Sequence, residues 1–179
     1  MSRPKPPKPV KLVVGIFTGD MQALVPAANF LINAFGEIDL VSPWFAFEDT
    51  DYYQKEMGIG LLRRIMAFKF LIDPGRLPEI KHKTLEIEGA FLVDHKRKIN
   101  IDPGYLSHER FVLATGKNYT HRIYIGQWIY ADLTLIYQKG GFQPLPWTYP
   151  DYARNNIRSF LGQVRDKYSI DVKEALLHD

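Results

Sequence analysis

The chain has 179 residues, 46% of them hydrophobic, and a formal net charge of +3 at pH 7. This length fits a single domain with a sizeable core. Four of the positive charges lie in the first eleven residues, so residues 12–179 carry 19 basic and 20 acidic side chains and are close to neutral. A neutral body argues against a dedicated binder of duplex DNA, which normally has a strongly basic domain, but it leaves room for a local basic patch.

The chain contains no cysteine, which excludes disulfides, catalytic thiolates and zinc sites built on sulfur. The first residues lack the apolar segment of a secretory signal, and no later stretch approaches the ~20 apolar residues that cross a bilayer. We therefore expect a soluble, cytoplasmic protein without membrane contact. Residues 2–9 contain four prolines and three basic residues, so we predict a disordered tail over residues 1–10 and one domain over residues 11–179.

The first half of the domain predicts alternating strands and helices. Lys11 to Phe17 is a short apolar and β-branched run, typical of a buried strand. Helical spacing follows, with Asp20 as the N-cap and Gly36 at the end. Pro26 is expected to delay the start of this helix or to break its first turn. Further strands are predicted at 38–47 and 61–72, separated by an acidic loop at 48–51.

The second half predicts a helix, a series of short strands and a last helix. Asp73-Pro74-Gly75 is a turn signal, and Pro78 lies in the first turn of a helix whose apolar face extends to Leu92. Strands are predicted at 98–102, 110–115, 121–125 and 129–137. The last helix is predicted over residues 152–168, with Asp151 as its N-cap.

This order of elements, β-α-β-β-α-β followed by further strands and a helix, predicts an α+β fold. We expect a ferredoxin-like or related mixed or antiparallel sheet with helices on one face, extended by a C-terminal β-hairpin and helix. Such a fold does not determine a function, so the functional hypotheses depend on particular side chains.

One sequence pattern, K-x-x-I-D-P-G-x-L, occurs twice, at Lys69–Leu77 and Lys98–Leu106. Asp-Pro-Gly is favoured in turns by backbone geometry alone, so the simplest interpretation of both copies is structural. The functional interpretation is that both turns leave the same edge of the sheet and place Asp102 and Tyr105 at the mouth of a cleft.

Residues 96–122 contain six basic and two acidic side chains, which suits an anionic ligand. Arg110 and Arg122 could hold a phosphate or carboxylate through paired hydrogen bonds, and Lys117 could add a point charge. The segment does not form a nucleotide P-loop, because Phe111 stands where the first glycine is needed and Asn118 follows the lysine. Nearby tyrosines could stack on a base. The predicted ligand-binding residues are Asp102, Tyr105, Arg110, Lys117, Tyr119 and Arg122. The alternative is that these charges only protect strand edges against aggregation.

Two histidines, His108 and His121, are candidates for acid–base catalysis, with Glu109 and Asp132 as carboxylate partners. The same four side chains could ligate a metal, but no H-E-x-x-H spacing occurs, so we predict no metal site and name no cofactor. Strand alternation places His121 and Arg122 on opposite faces of the sheet, and it makes Arg122 the more exposed of the two.

Several stretches resemble an uncharacterised prokaryotic family, the domain-of-unknown-function family four-four-one-six. They are Phe47 to Gly58, which contains D-T-D-Y-Y-x-x-E-M-G, Asn100 to Tyr105, which reads N-I-D-P-G-Y, and Glu109 to Tyr137, which begins E-R-F-V-L-A-T-G-K-N-Y-T-H-R. The resemblance covers nearly the whole chain after the tail. It implies no activity, cofactor or catalytic residue.

The leading hypothesis from the sequence is a protein that binds a phosphorylated or otherwise anionic small ligand, such as a nucleotide, on a basic and aromatic strand face. One alternative is an enzyme with a histidine general base, of hydrolase or transferase type. Another is an RNA-binding or protein-interaction module that uses the aromatic strands and the basic tail. The apolar and aromatic content is also compatible with a homodimer.

Overall fold

The computed structural model describes residues 3–47 and 57–178. The predicted acidic loop at 48–51 lies outside these ranges. In chain order, the first elements are β1 (Val10–Thr18), α1 (Met21–Phe35), β2 (Ile38–Val41), β3 (Phe45–Ala46), β4 (Leu62–Ile72), α2 (Leu77–Gly89), β5 (Leu92–Val93) and β6 (Lys96–Arg97). The later elements are β7 (Ile99–Leu106), β8 (Arg110–Thr115), β9 (Arg122–Gly126), β10 (Ile129–Gln138), β11 (Gly141–Pro144), α3 (Pro150–Ala153) and α4 (Asn155–His178).

Four strands and two helices form a ferredoxin-like core. The strands lie in the order β7-β1-β4-β2, and each neighbouring pair is antiparallel. α1 connects β1 to β2, and α2 connects β4 to β7, which is the split β-α-β arrangement of this fold. The predicted α+β class and core topology are confirmed.

The sheet continues beyond the core through β8, β10 and β11, with β9 paired to β10 and β3 paired to β4. The antiparallel β9–β10 pair is the predicted C-terminal hairpin, and α4 is the predicted last helix. The strand β11 was not predicted from the sequence. None of the helices in the described ranges is long and apolar enough to cross a membrane.

Helices cover both faces of the sheet. Leu12 and Ile16 of β1 pack with α1 and α2 on one face. Val13 of β1 and Phe111 of β8 pack with α4 on the other. The two core helices therefore share one face, as expected, and the C-terminal helix covers the opposite face.

The two predictions about helix starts at Pro26 and Asp151 are wrong. α1 begins at Met21, where Asp20 accepts a hydrogen bond from the backbone N–H of Gln22 at 3.0 Å, and the helix continues through Pro26. A proline at this position removes a single backbone donor, and the burial of Ala27 beyond it keeps the helix on the sheet. Asp151 is not a cap but a buried residue within the short helix α3.

The two copies of the repeated pattern adopt different structures. Asp73 accepts a hydrogen bond from the backbone N–H of Gly75 at 2.7 Å, which makes the predicted turn. Asp102, by contrast, lies within β7 and pairs with Gly15 of β1, so the second predicted turn is wrong. A Cβ on Gly104 would lie 2.3 Å from the carbonyl oxygen of Val112 in β8. This second glycine therefore permits close strand contact instead of a turn.

A buried lysine ties the sheet to the C-terminal helix. Lys11 is fully buried, and its Nζ lies 2.5 Å from an oxygen of Asp39 in β2 and 2.5 Å from an oxygen of Asp171 in α4. Burial raises the pKa of Asp171, but hydrogen bonds from Lys11 and Lys167 outweigh that effect and hold the pKa below its usual value. At pH values above the unfolded-state pKa of Asp171, the charged carboxylate therefore stabilises the fold. This stabilisation is lost as the pH falls through the folded-state pKa.

We predict that Lys11→Met lowers the free energy of unfolding by about 3 kcal/mol, because it leaves two mostly buried carboxylates with Lys167 as their remaining cation among the described residues. Urea denaturation measures the change. The matched control is Lys69→Met in β4, since Lys69 pairs with Glu37 on the surface and both side chains are more than half exposed. An equal loss of stability in the two variants would contradict the assignment of Lys11 as a structural ion pair.

Candidate functional site

The residues predicted from the sequence fall into two groups. Lys117, Tyr119 and His121 follow the Thr115 end of β8, with Asp102, Arg122 and Asp132 beside them; His108, Glu109 and Arg110 lie at the Arg110 end, with Tyr105 beside them. Asp132 pairs with Leu113, and Arg110 lies three residues, or about 10 Å, from Leu113 on the opposite face of the strand. One small anion therefore cannot contact Arg110 together with Lys117 and Arg122. His108 and Glu109 likewise do not join His121 and Asp132.

The first group is organised around the carboxylate of Asp132, which is buried in β10. One oxygen of Asp132 lies 3.1 Å from Nε2 of His121 and accepts a hydrogen bond from Nε of Arg122 at 2.9 Å. The other oxygen accepts a weaker hydrogen bond from the hydroxyl of Thr134 at 3.3 Å. We call Tyr119, His121, Arg122, Asp132, Trp147 and Tyr149 the Asp132 cluster.

The prediction that His121 and Arg122 lie on opposite faces is wrong, because His121 precedes the strand. The backbone N–H of Arg122 donates to the carbonyl oxygen of Tyr119 at 3.0 Å, which closes a turn before β9 begins. Alternation of side chains applies only within a strand, so His121 is free to turn toward the same carboxylate. Within β9 the exposed residues are Ile123, at 70%, and Tyr124, at 54%, while the side chain of Arg122 is about 10% exposed.

Arg122 is held in place by three hydrogen bonds. Besides the bond to Asp132, Nη1 donates to the carbonyl oxygen of Lys117 at 3.0 Å and Nη2 donates to the hydroxyl oxygen of Tyr149 at 2.6 Å. A guanidinium has five N–H groups, so two remain without a partner in the part of the chain that the structure describes. The guanidinium is oriented by the protein and still has donors for an acceptor from outside.

Two aromatic residues of the loop before α3 complete the cluster. The indole of Trp147 stacks on the His121 ring, with centroids 5.0 Å apart, and its N–H donates to the carbonyl oxygen of Leu133 at 2.8 Å. The rings of Tyr119 and His121 meet edge to face, with centroids 5.5 Å apart. Trp147 and Tyr149 are not among the residues predicted from the sequence. Their signal is the run P-W-T-Y-P, in which two large aromatic residues occupy a short loop between prolines.

The phenol of Tyr149 keeps its proton at neutral pH. Burial raises its pKa, the charge of Arg122 opposes the rise, and the carboxylates of Asp132 and Asp102 add to it. Because the oxygen of Tyr149 accepts from Arg122, the phenol proton is directed to a different acceptor. Tyr149 is therefore a second donor within the cluster.

A second arrangement on the same face surrounds the buried guanidinium of Arg63 in β4. Its Nε lies 2.7 Å from Asp151, its Nη1 donates to the hydroxyl of Tyr152 at 2.9 Å, and Nη1 also lies 3.6 Å from Asp102. The guanidinium carbon is within about 5 Å of the ring centres of Tyr152, Phe17 and Phe47. Burial raises the pKa of Tyr152, the charge of Arg63 opposes the rise, and the phenol stays neutral.

Asp102 lies between the two arrangements. One of its oxygens accepts a hydrogen bond from Asn100 at 2.9 Å, and Asn100 in turn accepts one from Arg97 at the same distance. Its carboxylate faces Arg63 on one side and is close enough to Tyr149 to affect the pKa of that phenol on the other. The side chain of Asp102 is 28% exposed, so it is the part of the Arg63 arrangement that solvent reaches.

The described residues contain no group of three histidine, aspartate or glutamate side chains that could hold a metal ion. Instead, Asp132 is paired with His121 and Arg122, and Asp102 is paired with Arg63.

A model of a protein family described as a domain of unknown function, DUF4416, matches residues 8–168. The chain belongs to the DUF4416 family. No curated protein and no solved structure matches it. The matched residues of this DUF4416 chain include the whole Asp132 cluster and the Arg63 arrangement, so both lie within the family domain.

The contacts of Arg63 in this DUF4416 chain require a glycine at position 15 in the neighbouring strand β1. A Cβ at Gly15 would lie 2.8 Å from Nη1 of Arg63 and 2.8 Å from the hydroxyl of Tyr152. Neither group can move easily, because Arg63 is enclosed by aromatic rings and Tyr152 is fully buried.

We predict that Gly15→Ala lowers the free energy of unfolding by roughly 1–3 kcal/mol through this overlap. The matched control is Gly162→Ala within α4, where a Cβ meets no atom within 4 Å among the described residues; it should raise the free energy of unfolding by about 0.5–1 kcal/mol. Thermal and urea denaturation measure both. A stabilising Gly15→Ala would show that the guanidinium is not fixed as described.

Proposed function

We propose that the protein binds a small anionic ligand carrying a planar group, such as a nucleotide, at the Asp132 cluster. The observation that supports this proposal is the state of Arg122: three of its N–H groups are held by Asp132, Lys117 and Tyr149, and two have no partner in the described part of the chain. A guanidinium fixed in this way binds a phosphate or carboxylate without first having to be ordered.

The surroundings of Arg122 provide the other groups that such a ligand needs. The phenol proton of Tyr149 can be donated to a second oxygen of the anion, and the backbone of the Gly116-Lys117 turn lies beside the guanidinium. The rings of Tyr119 and Trp147 are 65% and 38% exposed, so they offer aromatic surface to a base. Arg110, which lies at the other end of β8, has no part in this proposal.

We expect Arg122→Gln to weaken binding of adenosine monophosphate by about tenfold or more, because a hydrogen bond to a charged group contributes roughly 1.5–3 kcal/mol. Isothermal calorimetry measures the affinity, after a thermal-shift comparison of the four ribonucleoside monophosphates has chosen the best probe. The matched control is Arg76→Gln, since Arg76 lies just before α2 and pairs with Glu79 on the surface, where both side chains are more than half exposed.

A second variant, Tyr119→Ala, tests the same site without disturbing a buried ion pair. Arg122→Gln leaves the buried carboxylate of Asp132 with one partner fewer and can lower stability, whereas Tyr119 is exposed and its replacement leaves the core intact. Tyr119→Ala should weaken nucleotide binding through lost stacking but leave the affinity for inorganic phosphate unchanged. If neither variant alters the affinity of a folded protein for nucleotide, the proposed site is wrong.

A second candidate function, catalysis, is favoured by one observation: Nε2 of His121 lies 3.1 Å from Asp132. A carboxylate in this position holds the imidazole with its Nε2 proton toward Asp132, so Nδ1 is the nitrogen that could accept a proton. Phosphorus NMR of a bound nucleoside triphosphate over several hours distinguishes the two functions. Hydrolysis that is lost in His121→Gln would indicate an enzyme; an unchanged ligand would indicate binding alone.

A further inference from the structure

The second group of sequence-predicted residues borders a cavity of about 250 Å³ at the other end of β8. The cavity lies between the N-terminal segment, the turn that joins β7 to β8, and α4; its lining includes Lys8, Tyr105, His108, Arg110 and Tyr168. The hydroxyl of Tyr168 donates to the carbonyl oxygen of Pro9 at 2.9 Å, which attaches the N-terminal segment to α4 beside Lys8. The volume of the cavity suits a small ion or the terminal group of a larger ligand.

The charges around this cavity are mostly positive. Lys8 and Arg110 line it, and Nε of Arg165 in α4 donates to the carbonyl oxygen of His108 at 2.9 Å. The one carboxylate in its lining is that of Glu109, which accepts a hydrogen bond from the hydroxyl of Ser107 at 2.7 Å. That hydrogen bond holds the pKa of Glu109 below its usual value, so Glu109 is charged but already has a donor.

His108 experiences this positive field directly. Burial lowers its pKa, the charges of Arg165, Lys8 and Lys173 lower it further, and Glu109 opposes them. The imidazole is therefore neutral at pH 7, with cations on the N-terminal segment and on α4 and one carboxylate on its own turn. An anion in the cavity would supply the missing negative charge.

The hydrogen bonds of His108 determine which nitrogen can take up a proton. The hydroxyl of Ser169 donates to the carbonyl oxygen of Arg165 at 2.9 Å, so its oxygen can only accept from Nε2 of His108 at 3.0 Å. The tautomer with hydrogen on Nε2 follows, and Nδ1 is the site of protonation. Protonation at Nδ1 gives His108 a second N–H donor, and its Nε2–H keeps the hydrogen bond to Ser169.

We propose that this cavity is a second anion site, which binds a phosphate or sulfate group between Lys8, Arg110 and His108. It is separate from the Asp132 cluster, because Asp132 pairs with Leu113 of β8, whereas Arg110 lies three residues away on the opposite face of that strand. Binding is coupled to protonation of His108, since the imidazolium adds a positive charge and a hydrogen-bond donor. The occupant is a free inorganic anion or the phosphate end of a small metabolite, and both present the same group to the cavity.

Sulfate is the first probe, because its charge stays constant between pH 5 and pH 8. Proton NMR follows the ring protons of the five histidines during a pH titration, and the His108→Gln spectrum assigns the resonance of His108. With ionic strength held constant by sodium chloride, sulfate should raise the titration midpoint of His108 by about one pH unit, which corresponds to roughly tenfold tighter binding by the imidazolium form. Lys8→Ala and Arg110→Ala should each reduce this rise.

Two controls separate this site from the Asp132 cluster and from general salt effects. Arg122→Gln should leave the response of His108 to sulfate unchanged, and so should Lys96→Ala, which removes an exposed lysine from β6. An unchanged midpoint for His108 in the natural chain would overturn the proposal, as would a full response in both Lys8→Ala and Arg110→Ala. A glycerol phosphate titration then distinguishes the sources: tighter binding than inorganic phosphate indicates a phosphorylated metabolite, and equal binding indicates the free anion.

Discussion

The buried guanidinium of Arg63 is the interaction on which the candidate site depends. A charge this far from water is tolerated only when carboxylates and aromatic rings surround it, and removing one partner of such a pair costs roughly 3–5 kcal/mol. Its principal partners, Asp151 and Tyr152, both come from α3, so α3 is held against β4. The loop that leads into α3 is held with it, and that loop carries Trp147 and Tyr149 to His121 and Arg122.

The sheet face beyond the end of α4 is therefore polar for a structural reason. Where α4 packs, the side chains of this face are apolar, as at Val13 and Phe111. Where α3 and its loop pack instead, the same strands place Asp102 and Asp132 on that face, and each carboxylate meets an arginine. One strand thus contributes to the core along part of its length and to the candidate site at its end. Arg122 and Asp132 lie in strands, which hold side chains more accurately than loops do, whereas Tyr119, Trp147 and Tyr149 come from loops.

The fold was predictable from the sequence where periodicity was strong. The apolar run of β1, the helical spacing of α1 and the order of the core elements specified the ferredoxin-like topology without knowledge of any long-range contact. Predictions failed where distant residues decide the structure. Asp102-Pro103-Gly104 has the composition of a turn, but its pairing with β1 and the close approach of Val112 keep it in a strand. Asp151 has the composition of a helix cap, but it lies against Arg63, which is 88 residues earlier in the chain.

Basic residues that are close together in the sequence lie apart in the structure, because a strand carries the chain away from its starting point. The excess of basic residues in 96–122 suggested one anion site, yet Arg110 precedes the strand residues of β8 that separate it from Lys117 and Arg122. At the Asp132 cluster, Arg122 is already neutralised by a buried carboxylate, so attraction to an anion alone is modest there. That carboxylate also fixes the guanidinium before a ligand arrives, which lowers the entropic cost of binding. A ligand that carries an aromatic group beside its anion would gain binding free energy by stacking on Tyr119 and Trp147, which would offset the weak electrostatic attraction there. A simple anion would bind better in the cavity beside His108, where the positive charges are less fully neutralised.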